Sequence, residues 1–205
     1  MFREKKKAWE RPNPGMYTGI CWCVCDYGDQ PVVYQGKTSM KHKIRIGIEL
    51  HGEGSMMSEG ENVGKHFSVF AYDTLSLGSQ SNMRPRLEGW TGKPIPSDEQ
   101  GDYFDFKTLI GMPCLIQVIH KENTQNPGNP YVNIGAITPL MSGAEIPVMT
   151  NQPLYFMLDE STQADFDMLP EWAQNKINLD GYQLPQAAAM KVPDFDDENS
   201  DIPFD

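Results

Sequence analysis

The chain has 205 residues, 39% of them hydrophobic and 22% charged, enough for one medium domain with appendages. A formal charge of -11 spread evenly would argue against nucleic-acid binding, but residues 1–150 carry 15 Lys/Arg against 16 Asp/Glu, and residues 151–205 carry 2 against 12. The acidity belongs to the C-terminal quarter, so the nearly neutral remainder is compatible with polyanion binding through local basic patches.

No apolar run is long enough to cross a bilayer and no secretory leader is legible. Cys21, Cys23 and Cys25 alternate on one short stretch, too far apart in an extended strand to bridge easily, and Cys114 stands alone in an apolar run. The expectation is a reduced, cytoplasmic protein with no membrane partner.

Residues 1–14 form a basic arm with Arg3, Lys5, Lys6, Lys7, Trp9 and Arg11, closed by Pro12-Asn13-Pro14. A first strand is expected over 15–26, with Thr18, Ile20, Trp22 and Val24 on one face and Tyr17, Gly19 and the three cysteines on the other. Asp26-Tyr27-Gly28-Asp29 then reads as a turn. The Cys-x-Cys-x-Cys run lacks the spacing of a zinc site and reads as small core residues. The second strand, 40–50, is the most informative. His42, Ile44, Ile46, Ile48 and Leu50 alternate with Lys41, Lys43, Arg45, Gly47 and Glu49, so the face opposite the apolar one starts with three cations in register. Their spacing of about 7 Å matches a phosphate chain.

A Gly/Ser/Glu-rich loop follows; its Gly60-to-His66 run fails as a phosphate loop in spacing and in its last residue. The third strand, 65–72, sets Phe67, Val69 and Ala71 against His66, Ser68, Phe70 and Tyr72. The spacing of Met83, Leu87 and Trp90 predicts a helix over 81–90, and a second helical piece covers 105–110. Strands are expected at 113–121 and 131–140, an apolar patch at 154–158, and a small helix at 169–177.

The chain closes on Asp194, Phe195, Asp196, Asp197, Glu198 and then Asp201-Ile202-Pro203-Phe204-Asp205: carboxylates with two apolar anchors and too little apolar surface to fold. This resembles the acidic tip of bacterial single-stranded DNA-binding proteins, with Asp205 added after the Phe on which that family ends. Three strands, a helical connection and two strands match the OB-fold order, a five-stranded Greek-key barrel. Gly15-Met16-Tyr17, Ile46-x-Ile48-Glu49-Leu50, Leu87-Glu88-Gly89-Trp90 with Gly92-Lys93-Pro94, Leu109 to Cys114, Tyr131-x-Asn133-Ile134, and Leu169-Pro170-Glu171-Trp172 with Ile177 cover most of the chain. Together they resemble a family of small phage-encoded single-stranded DNA-binding proteins.

The resemblance implies a mainly β OB-fold domain that coats single-stranded DNA during phage replication and recombination, and a tail that recruits replication proteins. The expected organisation is a basic arm at 1–14, the DNA-binding domain at 15–160, a helical extension at 161–180, and a linker with the acidic tail at 181–205. Lys37, Lys41, Lys43, Arg45 and Lys65 are candidates for phosphate contacts, with Arg84, Arg86 and Lys93 a second cationic cluster. Trp22, Phe70, Tyr72 and Tyr131 are candidate stacking platforms. Asp194, Phe195, Asp196, Asp197, Asp201, Ile202, Pro203 and Phe204 are the candidate partner-binding residues. No cofactor, metal or catalytic residue is expected, and self-association along the strand stays open. Two alternatives are a protein-binding adaptor on an OB-like barrel and a metal-dependent nuclease using Asp98, Glu99, Asp102 and Asp105.

Overall fold

The computed structural model describes residues 10–185 apart from 125 and 127; the first nine residues and the acidic tail, with its candidate partner-binding residues, lie outside the described residues. The protein is mainly β. Its strands are β1 (Gly15–Tyr34), β2 (Lys37–His51), β3 (Ser68–Thr74), β4 (Ser97–Asp98), β5 (Gly101–Asp102), β6 (Pro113–Lys121), β7 (Tyr131–Thr138) and β8 (Leu154–Phe156). Helix α1 (Met83–Thr91) follows β3, a 3-10 turn (Phe106–Leu109) precedes β6, and α2 (Gln163–Asp167) and α3 (Glu171–Gln174) follow β8. The main sheet runs β3-β2-β1-β6-β7 with every neighbour antiparallel, and β8 adds to β1 in parallel. The sheet is not closed into a barrel: among the described residues no ladder joins β3 to β7.

The predicted strand–strand–strand–helix–strand–strand order is present, and β2 buries the predicted alternation, whereas β6, whose near-continuous apolar run reads as a strand buried throughout, buries only the alternate Cys114, Ile116 and Val118. Ile44, Ile46, Ile48 and Leu50 are fully buried, with Phe67, Val69 and Ala71 beside them. Met83, Leu87 and Trp90 of α1 close this first core. Gly92 ends the helix in the left-handed conformation, where a glycine carries no Cβ penalty, and its N–H donates to the Glu88 carbonyl.

β1 departs from the expectation in two ways. The predicted turn at Asp26-Tyr27-Gly28-Asp29 is a bulge inside a continuous 20-residue strand. The chain reverses at Gln35-Gly36, both at positive φ (49° and 74°), the pattern of a tight hairpin turn matched to strand twist. A second bulge at Trp22 changes the side-chain phase, so the three alternating cysteines do not share a face. Cys21 lies opposite Ile48 and joins the first core with Cys114; Cys23 and Cys25 lie opposite Gly47 and Arg45 and join a second core. All four are buried free thiols.

The second core covers the other face of β1. Leu154, Phe156, Leu158, Leu169 and Ala173 pack on Cys23, Cys25 and Tyr27, and Ile177, Leu179, Tyr182 and Leu184 extend the contact into the expected linker. The expected helical extension is therefore a cover for the sheet, and α2, which apolar periodicity does not reveal, is secured by a capping box between Thr162 and Asp165. Asn178 closes the cover with two hydrogen bonds: its N–H donates to the Tyr27 carbonyl at 2.9 Å and its side chain to the Asp29 carbonyl at 2.8 Å. Gly28, at φ 66°, lies against the Asn178 carbonyl, so close that a Cβ there would collide with it. Gly28→Ala should therefore destabilise the protein by about 1–3 kcal/mol in urea unfolding, through both φ and the lost approach; an unchanged midpoint would show that 176–184 is not clamped there.

Candidate nucleic-acid interface

On the face of β2 and β3 away from the first core, the register pairs Lys43 with Thr74, Arg45 with Tyr72, Gly47 with Phe70 and Glu49 with Ser68. Directly opposed residues in antiparallel strands share a face, so the alternation in β2 and the outer aromatics of β3 meet as expected. Gly47 allows this packing: a Cβ there would sit 2.7 Å from the Phe70 ring. The ring instead lies under Arg45, whose guanidinium carbon is 3.6 Å from its centroid and 4.9 Å from that of Trp172 in α3. Arg45 Nη1 donates to Tyr27 Oη at 3.0 Å, while its buried Nε has no partner among the described residues.

The contacts form a track across the sheet. Tyr72 leans on Tyr27 at 5.7 Å, Trp22 meets Phe70 edge-on at 6.0 Å, and Trp22 Nε1 donates to Ser68 Oγ at 3.1 Å. Tyr72 is 50% exposed and Trp172 38%, which leaves ring surface for a ligand at both ends. Beside the second end, Trp22, Tyr155, Leu169 and Trp172 line a groove of about 510 Å³ between the β8 segment and the short helices. Trp172, a member of the quoted Leu-Pro-Glu-Trp run, had no assigned role in the sequence; its register to Arg45 spans 127 positions and exists only in the fold.

The first end of the track opens on a polar groove of about 370 Å³ lined by Lys41, Lys43, Tyr72, Thr74, Gln80 and Asn82. Lys43 Nζ donates to Thr74 Oγ1 at 3.0 Å and stands 5.4 Å from the Tyr72 centroid. β3 stops opposite Lys43, so β1 and β2 continue beyond the sheet as a two-stranded ribbon. From Asp29 to Tyr34 it reaches about 20 Å. Its exposed residues include Lys37, Lys41, Val33, Tyr34 and Met40. Tyr34 is 71% exposed, and the misplaced turn at 26–29 is what hid it in the sequence.

The other candidates are held elsewhere. Arg84 pairs with Glu88 and Asp102 and donates to the Leu77 carbonyl; Arg86 pairs with Asp73 at 2.8 Å. Lys65 donates to Asn62 in the β2–β3 loop. Lys93 is exposed beside an apolar groove formed by Trp90, Met112, Pro139, Met141 and Ile146. Tyr131, 52% exposed, opens β7 opposite Lys121. Three of the four acids of the alternative nuclease reading have local duties: Asp98 accepts from the Gln100 N–H, Asp105 from the Lys107 N–H, and Asp102 from Arg84, while Glu99 is exposed.

Two buried carboxylates secure the cover. Asp26 accepts from the Gly28 N–H at 2.8 Å and is hydrogen-bonded to His42 Nε2 at 2.6 Å, while Tyr182 Oη meets His42 Nδ1 at 2.9 Å. Burial pushes the Asp26 carboxyl up despite these partners. Glu49, fully buried, accepts from the N–H groups of Thr150 and Asn151, from the Asn151 side chain and from His51. Burial is the largest influence on Glu49 and pushes its carboxyl up, but the hydrogen bonds together outweigh it and hold it below the usual range. Comparison with protein-family models and with curated proteins gives no match, so this geometry alone carries the functional reading.

Because the folded Glu49 titrates below its unfolded value, its stabilisation is complete above the ordinary carboxylate pKa and is lost as pH falls through the folded one. Wild-type stability should therefore drop more steeply with acid, below about pH 4.5, than that of Glu49→Gln. Parallel pH profiles in urea unfolding would contradict this.

Proposed function

We propose that this protein coats single-stranded DNA with little sequence preference, on an open OB-type sheet. The observation that carries the reading is the joining of an exposed lysine-bearing ribbon, through the Lys41–Lys43–Tyr72 groove, to the track of rings that ends at Trp172. Single strands are held this way, with cations following the phosphates and aromatic faces receiving bases. The strand order also supports it: β1 pairs with both β2 and β6, on either side of the helical connection, as the OB arrangement requires.

In this reading Lys37, Lys41 and Lys43 hold phosphates, and Tyr72, Tyr34 and Trp172 stack on bases. Arg45 orders the platform by lying between Phe70 and Trp172. Arg84 and Arg86 contribute little to phosphate binding because carboxylates already neutralise them. The acidic tail, through Phe204 and its neighbours, recruits replication and recombination proteins and competes with DNA for the cationic groove.

A fluorescence titration with oligo-dT and a matched duplex at two salt concentrations tests this. The single strand should bind preferentially. Replacing Lys37, Lys41 and Lys43 together with alanine should weaken all sequences alike and flatten the log–log salt slope by about 2, near 0.7 per lost phosphate contact. Tyr72→Ala should cost about 1–3 kcal/mol of binding, and removing residues 193–205 should tighten binding at low salt. Equal affinity for duplex, or an unchanged slope in the triple variant, would sink the interface. A protein-binding adaptor is the second reading, favoured by the apolar groove around Trp90 and Met112, where Met141 and Ile146 are more than 60% exposed; a folded domain that ignores single strands in both salts would select it.

A further inference from the structure

At the end of β2 away from the ribbon, two imidazoles meet a buried carboxylate. Glu49 and His51 stand two residues apart on β2, and the loop at 52–66 returns His66 to them through a bridge between Met56 and His66. The two imidazole rings lie 4.1 Å apart between centroids with 32° between their planes. One donor atom from each of Glu49, His51 and His66 lies within 4.8 Å of the other two.

The neighbouring hydrogen bonds fix which nitrogens are bare. The Ser55 hydroxyl gives its only proton to the Gly52 carbonyl at 2.7 Å, so at 3.2 Å from His66 Nδ1 it accepts, and His66 keeps the lone pair on Nε2. His51 Nε2 shares a proton with Glu49 Oε1 at 2.8 Å. Two stacked imidazoles repel if both are charged. Neutral imidazoles and an ionised carboxylate are the ligand forms a metal needs.

We propose that Glu49, His51 and His66 form a binding site for a zinc-class divalent transition-metal ion. The ion takes the place of the proton between His51 Nε2 and Glu49 Oε1, that proton moves to His51 Nδ1, and His66 Nε2 supplies the third bond. Tetrahedral coordination at about 2.0–2.2 Å sets ligand atoms roughly 3.3–3.6 Å from one another, so the His51–Glu49 pair opens from 2.8 Å by less than about an ångström and His66, within 4.8 Å of both, closes by no more than about 1.5 Å. Outer partners are in place: Ser55 holds the far nitrogen of His66, and Thr150 and Asn151 hold the carboxylate. Two nitrogens and one oxygen suit zinc, nickel or copper and not magnesium or calcium, which take oxygen ligands. The bound ion ties the 52–66 loop, β2 and the segment at 150–151 together, away from the ribbon.

Calorimetry and thermal unfolding of the full chain with Zn²⁺, and with Mg²⁺ as comparator, test the site. One equivalent of Zn²⁺ should bind and raise the Tm, while Mg²⁺ at the same concentration should not. His66→Ala, in a loop outside both cores, should weaken Zn²⁺ binding by at least tenfold, and His42→Ala should leave it unchanged. Histidine-ring NMR of the wild type needs no variant: of the four histidines, Zn²⁺ should shift His51 and His66 and leave His42 and His120 in place. No uptake, equal uptake by His66→Ala, or shifts confined to His42 and His120 would each overturn the assignment.

Discussion

The pairing of β1 on both edges while both faces of its Tyr17-to-Tyr27 portion are covered is the constraint on which the rest of the structure depends. β2 takes one edge from Thr18 to Tyr34, and β6 and then β8 take successive parts of the other. A regular strand of this length would present one phase of side chains to each face throughout. The bulges at Trp22 and Tyr27 break that phase, so the strand serves α1 and the first core with Cys21 and Val24, and the C-terminal cover with Cys23, Cys25 and Tyr27. The ladder partners satisfy the backbone groups this burial removes from water.

The same geometry positions the proposed interface. With the C-terminal segment packed over part of the outer face, the track stays open, among the described residues, at the end by Tyr72 and the ribbon and at the end by Trp172. Arg45 sits between them with its charge spread over two rings and a phenol. It stiffens the platform more than it offers a free cation. The two lysines that precede it keep their heads at the groove, since β3 ends before it can cover them.

Much of this was legible in residue alternation. The inward Ile44, Ile46, Ile48 and Leu50 and the outward Lys43 and Phe70 follow from a period of two, and α1 from Met83, Leu87 and Trp90 at helical spacing. Alternation fails where the backbone inserts a residue, which is why three cysteines expected on one face divide between two cores. Asp26-Tyr27-Gly28-Asp29 has turn chemistry, but a bulge uses the same residue types, and only pairing with β2 tells them apart. Contacts such as Arg45 with Trp172 or Glu49 with Asn151 join distant segments, so no local pattern encodes them. The five-stranded Greek-key barrel expected from element order does not form among the described residues, because order does not specify the β3–β7 ladder.

The division of the cysteines gives the molecule two built-in clocks. Cys21 and Cys114 belong to the core under α1, Cys23 and Cys25 to the core under the C-terminal cover, and burial pushes the Cys23 and Cys114 thiols up to about 12. None reacts as a thiolate until its own layer opens. The order in which an alkylating reagent marks the two pairs thus reads which side of β1 loosens first, and whether shedding the cover is a separate event from unfolding the domain.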